Sequence, residues 1–297
     1  MEIKQLITFT IAAENLNFTQ TAKLLNFAQS SVTAQIKALE SELGTPLFER
    51  LGKRLFLTKA GYQFKAYAEK MIRISEEAKL IVSGSEEQTG TLIVGAQESQ
   101  CTYRLPPILK EFKSQFPKVK LVFKPAHSDE MAREQLAAGV LDVAFIMDTC
   151  RPGEALVIEP LIKEELVIVA SSTHPLKEKF EVSSEDLQHE TLLLTEAGCS
   201  YRNIFEGIFR SAGVSSLNKI EFGSIEAIRQ CVIAGLGIAL LPMMAVEEDI
   251  RVGRMNKLGW KNTAAPTYTQ IAWHKDKWMT PPLKAFIDLT RQTFKNY

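Results

Sequence analysis

Apolar residues recur along this chain with two different periods, and the change falls near Gly90. Before that point the spacing is helical. Ile3, Leu6, Ile7, Ile11, Ala12 and Ala13 mark a first helix within Met1–Leu16. Phe18–Leu43 reads as two short helices around a tight break. Thr19 is expected to cap the first, whose pattern of Ala22, Leu24 and Leu25 stops at Asn26-Phe27-Ala28. In the second, Val32, Ile36, Leu39 and Leu43 share one stripe, at spacings of four, three and four. Gln29, Ser30, Thr33 and Lys37, with Ala34 beside them, form the opposite stripe. Further on, Thr58 is expected to cap a long helix reaching about Ser83. Its Ala60, Phe64, Tyr67, Met71, Ile74, Ala78 and Ile81 alternate spacings of four and three, which is a heptad seam. Such regularity points to a second copy of the helix as partner; packing on its own chain is the alternative.

Gly84–Gly90 is small and polar and reads as a hinge. Beyond it strands and helices alternate. Strands are expected at Leu92–Val94, Val119–Phe123, Val140–Ile146, Glu165–Ala170, Leu192–Thr195, Lys219–Phe222, Ile238–Leu241 and Thr269–Trp273. Helices are expected at Pro106–Phe116, Asp129–Ala138 with Ser128 as cap, Tyr201–Ala212, Ile225–Ala234 and Pro282–Phe294. The apolar run Cys231–Val246 is too short for a membrane span and is broken by Gly235, Gly237 and Pro242. It reads instead as a buried helix end followed by a buried strand. The pattern implies an α/β class with open parallel sheets covered by helices on both faces.

Short polar side chains at the start of an exposed helix suit base edges in a major groove, so Ser30–Leu43 reads as a recognition helix. A plain helical hairpin with a polar outer face accounts for that stretch equally well. The next residues shift the balance. Gly52-Lys53-Arg54 makes a basic turn between two apolar runs, and Arg50 through Lys65 holds five basic residues and no acidic one. A basic wing beside a helix-turn-helix is what phosphate binding requires. Gln29, Ser31 and Thr33 are then expected to read bases, with Lys37, Arg50, Lys53 and Arg54 on phosphates.

These residues resemble the N-terminal block of LysR-type transcriptional regulators. The likeness is carried by Phe18-Thr19, Ala22, Leu24-Leu25, Gln29-Ser30-Ser31-Val32-Thr33, Gln35-Ile36, Leu39-Glu40, Leu43-Gly44, Pro46-Leu47-Phe48-Glu49-Arg50, Arg54 and Leu57-Thr58-Lys59-Ala60-Gly61, without gaps. Ser30 stands where the family often has proline and Ala34 where it often has a longer polar or basic side chain; both bear on which operator is read. Weaker matches continue at Leu105-Pro106, Phe116-Pro117, Leu141–Phe145 and Ala234–Pro242. The resemblance implies a winged helix-turn-helix domain over residues 1–58, a linker and dimerisation helix with hinge over 59–89, and an effector-binding domain over 90–297. That last domain would have two lobes like those of periplasmic binding proteins, lobe I about 90–161 and 267–297 and lobe II about 162–266, with strands crossing near Pro160 and Pro266. The implied partners are double-stranded DNA, a small-molecule effector and a second copy through the linker helix. The family commonly forms homotetramers, and RNA polymerase is a further partner if the protein activates.

Composition adds little against this. Net charge is zero, so DNA binding rests on the local basic patch. Cys101, Cys150, Cys199 and Cys231 are widely spaced with no CxxC pair, and the start MEIKQL shows no signal segment, which leads to the expectation of a reduced, cytoplasmic protein without membrane anchorage. The chain carries no G-x-S-x-G, P-loop or H-E-x-x-H motif, and Gly235-Leu236-Gly237 ends a helix instead of opening one. His127, His174, His189 and His274 lie in no ligand-spaced cluster. An enzyme, a metal site and a cofactor are therefore not expected. A transport solute-binding protein would need an export signal and no basic helix-turn-helix.

In open α/β sheets ligands bind beyond the carboxyl ends of strands, at helix N-termini. Four strand-to-helix junctions qualify: Ala96–Thr102, His127-Ser128, Glu196–Tyr201 and Gly223-Ser224, with Met147-Asp148 nearby. The candidate effector residues are Ser99, Gln100, Cys101, Thr102, Ser128, Met147, Cys199, Ser200 and Ser224. Any one of these serines is also explained as a helix cap. Helix N-termini favour an anion, to which Arg104 and Arg202 could add charge, so a small carboxylate is the expected effector. Peroxide-sensing members of the family use a cysteine in the loop that holds Cys199, with a second one shortly downstream. Asn203–Ser211 supplies none, so lining of the pocket is expected of Cys199, with Cys101 across the cleft as the remaining redox partner.

Overall fold

The computed structural model describes residues 1–52, 54–83, 89–126, 128–149, 153–213, 218–260 and 266–295; of Glu77, residues 80–83 and Asp148 it describes the backbone alone. The chain divides into two compact units, one built on Met1–Gly90 and the other on Thr91–Ala137 and Leu141–Tyr297. Lys53 and the hinge residues 84–88 lie outside the described residues.

The first unit consists of α1 (Ile3–Asn15), α2 (Phe18–Leu25), α3 (Gln29–Leu43), β1 (Phe48–Leu51), β2 (Arg54–Leu57) and α4 (Lys59–Ser83). Thr19 does not cap α2. Asn17 does, its Oδ1 accepting from Thr19 N and Gln20 N at 2.9 and 3.0 Å. The helix starts earlier than expected because Phe18 belongs inside it, against Phe48. Asn26 at φ +54° ends α2 and Gly44 at φ +67° ends α3. Leu6, Phe9, Val32, Ile36, Leu39 and Leu47 form a closed core. β1 and β2 pair antiparallel from Phe48↔Leu57 to Leu51↔Arg54, which makes the wing. The wing is fixed to α3 by one carboxylate: Glu40 Oε1 accepts from Leu47 N at 2.8 Å and Phe48 N at 3.1 Å.

Thr58 caps α4 as expected, its Oγ1 accepting from Gly61 N at 3.0 Å and donating to Pro46 O at 2.8 Å. The heptad seam is divided between two tasks. Ala60, Phe64 and Met71 pack on the core of their own chain, with the Phe64 ring 5.2 Å from that of Phe9. An intermolecular seam from end to end is therefore not what the helix presents. Tyr67 and Ile74 face outward, 62% and 51% exposed. The side chain of Ile81 lies outside the described residues.

The second unit continues with β3 (Gly90–Ala96), α5 (Glu98–Tyr103), α6 (Leu105–Gln115), β4 (Val119–Pro125), α7 (Asp129–Ala137), β5 (Val143–Asp148), β6 (Leu156–Lys163), β7 (Leu166–Ser171), α8 (Ser184–Leu187), β8 (Leu192–Thr195), α9 (Ser200–Ser211), β9 (Lys219–Phe222), α10 (Ile225–Ile233), β10 (Ala239–Pro242), α11 (Met243–Arg251), β11 (Met255–Lys257), β12 (Tyr268–His274) and α12 (Pro281–Phe294). One sheet, in the order β4-β3-β5-β12-β6, makes a first lobe. A second lobe holds β10-β7-β11 and β8-β9, linked by a bridge between Leu192 and Ile238. Each lobe has its own apolar core, around Phe112, Phe145 and Phe286 in the first and Ile168, Phe205 and Val232 in the second.

The sheets are mixed and not purely parallel: β12 runs antiparallel to β5 and β6, and β7 antiparallel to β10 and β11. β6 is the crossing strand that the resemblance places near Pro160; residue pattern alone does not mark it, because Pro160 interrupts it. The strand lies at the sheet edge, where a missing N–H is tolerated, and its register with β12 shifts between Ile162 and Pro160. The run Cys231–Val246 ends in a helix start, since Met243 opens α11 directly after Pro242.

The first unit yields a stability prediction. A Cβ on Gly61 would fall 2.1 Å from Leu47 O and 2.9 Å from Leu57 Cδ2. Inside a helix Gly→Ala ordinarily stabilises by up to about 1 kcal/mol. Here Gly61→Ala is expected to destabilise the unit by about 1–3 kcal/mol, as overpacking does. Urea unfolding followed by circular dichroism checks the sign.

Candidate functional site

In the first unit α3 presents Gln29, Ser30, Ser31, Ala34 and Lys37 as exposed residues. Thr33 is half-buried, its hydroxyl donating to Gln29 O at 3.0 Å. The residues that would face a groove therefore share one side of α3, while Val32, Ile36 and Leu39 are sealed beneath. On the wing Arg50 and Arg54 are exposed, and the Arg50 guanidinium stands 5.9 Å from the centre of the Phe18 ring, next to the start of α2. Two supporting residues escaped functional reading. Gln35 accepts from the buried Thr8 hydroxyl at 2.7 Å, tying α3 to α1, and Glu40 holds the wing. Both looked like ordinary helix polars because their partners lie on other elements.

In the second unit three of the four predicted serines make contacts across the cleft between the lobes, and those contacts are with protein groups. α5 reaches from the first lobe to the starts of α9 and α10 in the second. Ser99 Oγ lies 2.8 Å from Tyr201 Oη, and both groups are buried; burial pushes the Tyr201 phenol well above its ordinary range, so it stays protonated. Gln97 donates to Ser200 Oγ at 3.2 Å, and Ser200 donates in turn to Asp129 at 3.3 Å. Asp129 also accepts from Met147 N at 2.9 Å. Ser224 donates to Glu98 at 2.8 Å. Ser128 does cap its own helix, accepting from Met131 N at 3.1 Å.

Gln100 and Arg104 point elsewhere. Gln100 donates to Thr269 Oγ1 at 2.9 Å, and Arg104 makes a two-armed pair with Glu164, one arm at 3.0 Å, where the chain leaves β6 for the second lobe. Arg104 and Glu164 are both buried, so Arg104 is committed to the protein and is no effector ligand. Arg202 is likewise engaged, with Glu206 and Glu221. Thr102 is exposed. Cys101 packs against the core of the first lobe, where burial raises its thiol pKa, while Cys199 belongs to the core of the second. Cys150 and His127 lie outside the described residues.

A cavity of about 470 Å³ lies between α7 and α9, lined by Ser128, Asp129, Arg133, Met147, Ser200 and Asn203 among others. Of the predicted effector residues, Ser128, Met147 and Ser200 line it, and Ser224 does not. Among the described residues, no group of three His, Cys, Asp or Glu side chains could hold a metal ion, and no helix is long and apolar enough to cross a membrane.

Two family profiles cover most of the chain. Residues 3–62 match the bacterial regulatory helix-turn-helix protein of the lysR family, and residues 85–295 match the LysR substrate binding domain. The chain belongs to the LysR family. As a LysR-type protein it is a transcriptional regulator with a helix-turn-helix DNA-binding domain and an effector-binding domain, and not an enzyme. It is 61% identical over 99% of its length to all of an uncharacterised HTH-type transcriptional regulator, YwqM of Bacillus subtilis (strain 168). It is 33% identical to the HTH-type transcriptional regulator GltR of the same organism, over 99% of this chain and 98% of that one. Among solved structures it is similar to full-length OxyR from Pseudomonas aeruginosa, with TM-score 0.71, 23% identity and coverage of 99% and 95%. Full-length CbnR in complex with its target DNA gives TM-score 0.69, 23% identity and coverage of 99% and 100%.

The buried pair in this LysR protein is directly testable. Glu164→Ala would leave Arg104 charged and buried beneath the Phe294 ring, 5.6 Å from its centre. A loss of about 3–5 kcal/mol is expected. The three tryptophans, Trp260, Trp273 and Trp278, all lie in the second unit, so fluorescence-detected urea unfolding reads this loss there.

Proposed function

We propose that this LysR regulator reads its operator with the first turns of α3 and grips the backbone with its wing. Gln29, Ser30, Ser31 and Thr33 read base edges, with Ala34 leaving room beside them. Lys37, Arg50, Lys53 and Arg54 hold phosphates. The observation that carries this is the exposed polar face of α3 on the same compact unit as the exposed Arg50 and Arg54, with Glu40 tying α3 to the wing. CbnR, a structural neighbour, has been solved on its target DNA. Gel-shift titrations against the protein's own upstream DNA over a salt series test it. Arg54→Ala should weaken binding to every sequence and reduce the salt slope by about one counterion, while Gln29→Ala should relax specificity at one base pair by about 1–3 kcal/mol. Unchanged affinity in both would remove the assignment. A protein that works on chromosomal DNA belongs in the cytoplasm.

The exposed half of the α4 seam serves as the homodimer contact, and two dimers associate into a tetramer; RNA polymerase is the further partner if the protein activates. Tyr67 and Ile74 support this as large apolar groups left outward on a regular stride. Ile74→Asp is expected to dissociate the dimer in sedimentation while leaving the helical content intact. Met71 is a poor probe because it also packs on its own core.

The effector occupies the cavity bordered by Ser128, Met147 and Ser200, where the starts of α7 and α9 face each other. Arg133 gives that wall a positive group and Asp129 a negative one. A small molecule bearing a carboxylate and a hydrogen-bond donor fits this mixture better than a bare anion.

A further inference from the structure

Glu98 opens α5 in the first lobe, and its carboxylate crosses to the second. There Oε2 accepts from Ile225 N at 2.7 Å and Oε1 from Ser224 Oγ at 2.8 Å. Ser224 stands at the N-cap of α10, yet its hydroxyl bonds no N–H of that helix. It donates to Glu98 instead. A serine at this position ordinarily satisfies the free amides of its own helix. In α10 that task falls to a carboxylate on the other lobe, which binds as a free carboxylate ligand would: two oxygens, a charge-assisted hydrogen bond and a helix N-terminus.

We propose that Glu98 is a tethered ligand that latches the first lobe onto the second, and that it keeps this margin of the cleft closed until a carboxylate displaces it from α10. The contacts around it divide the labour. Ser99 and Tyr201 meet out of water, so parting them strands two polar groups. Glu98 is solvent-exposed and Ser224 half-buried, so the carboxylate can exchange its partners for water, whereas Ile225 itself is buried and its amide is reached only from the side that Glu98 occupies. The buried contact is thus the lasting one and the Glu98 contact the releasable one. A latch of this kind gives the empty protein a defined closed state, and an effector shifts the balance only by its preference for one state over the other. The regulatory step extends the effector reading of the cleft, since it needs a carboxylate to reach α10, which does not line the cavity beside Ser128, Met147 and Ser200; the latch itself does not rest on that reading.

Hydrogen exchange read by mass spectrometry on the full-length protein, without DNA or effector, tests it with acetate as the probe. In Glu98→Ala the amide of Ile225 is expected to exchange at least about tenfold faster than in the parent. Sodium acetate should restore its protection where sodium chloride of equal ionic strength does not. Glu98→Gln, which keeps the shape and one acceptor, should fall between the two. Equal exchange in parent and Glu98→Ala, or equal effects of acetate and chloride, would overturn the latch. So would faster exchange throughout the second-lobe core in both variants, since that marks a residue needed only for folding. If Glu98→Ala does not fold, Glu98→Gln decides by the same criterion at Ile225. These outcomes leave the effector reading untouched. An effector that binds parent and Glu98→Gln with equal affinity would instead refute displacement.

Discussion

Every α-helix begins with backbone N–H groups that the helix itself cannot satisfy, and this chain is arranged around where those groups find acceptors. Asn17 supplies one for α2, Thr58 for α4 and Ser128 for α7. At α10 the acceptor comes from a distant residue of the other lobe. The local caps fix where helices start and so set the geometry of each unit. The distant one makes the state of a helix depend on the state of a cleft. The same backbone chemistry thereby builds both the fixed and the adjustable parts of the regulator.

Among the described residues, four carboxylate–cation pairs in the second unit have a buried partner. Glu164 takes Arg104, Asp249 takes Arg229 and Arg254, and Asp142 takes Lys277. Pairs of this kind pin elements at chosen angles, and they are costly to break from one side. The first unit does the opposite on its binding face, leaving Arg50 and Arg54 outward. The chain as a whole is neutral, yet its reader offers positive groups and its sensor neutralises them internally. Net charge would have hidden this; the distribution reveals it.

The sequence announces the reader more clearly than the sensor, for a physical reason. In α3 one stripe is buried and the opposite one is polar, so period alone separates core from binding face. β8 and β9 are also legible to the residue, being short apolar runs between turns. The cap of α2 was displaced because Asn17 precedes an aromatic that looked like loop. Residue pattern alone missed β6 because of its proline, and only the family resemblance placed a strand there; α11 was lost to the apolar run that leads into it. Sequence also placed Ser99, Ser200 and Ser224 at helix starts along the cleft, but could not show that Tyr201, Asp129 and Glu98 already engage them. Those partners lie roughly a hundred residues away or share no pattern with the serines, and periodicity carries no information about such pairs.

The packing of Phe64 against Phe9 has a mechanical consequence. Because the first half of α4 is part of the hydrophobic interior of the reader, that helix is keyed to its head like a shaft to a wheel. It cannot turn about its own axis without dragging α1, and α1 holds α3 through Thr8 and Gln35. A rotation of the first half of α4 would therefore carry α3 with it. The reader follows the angle of its shaft, so a turn of α4 is a turn of α3 as well.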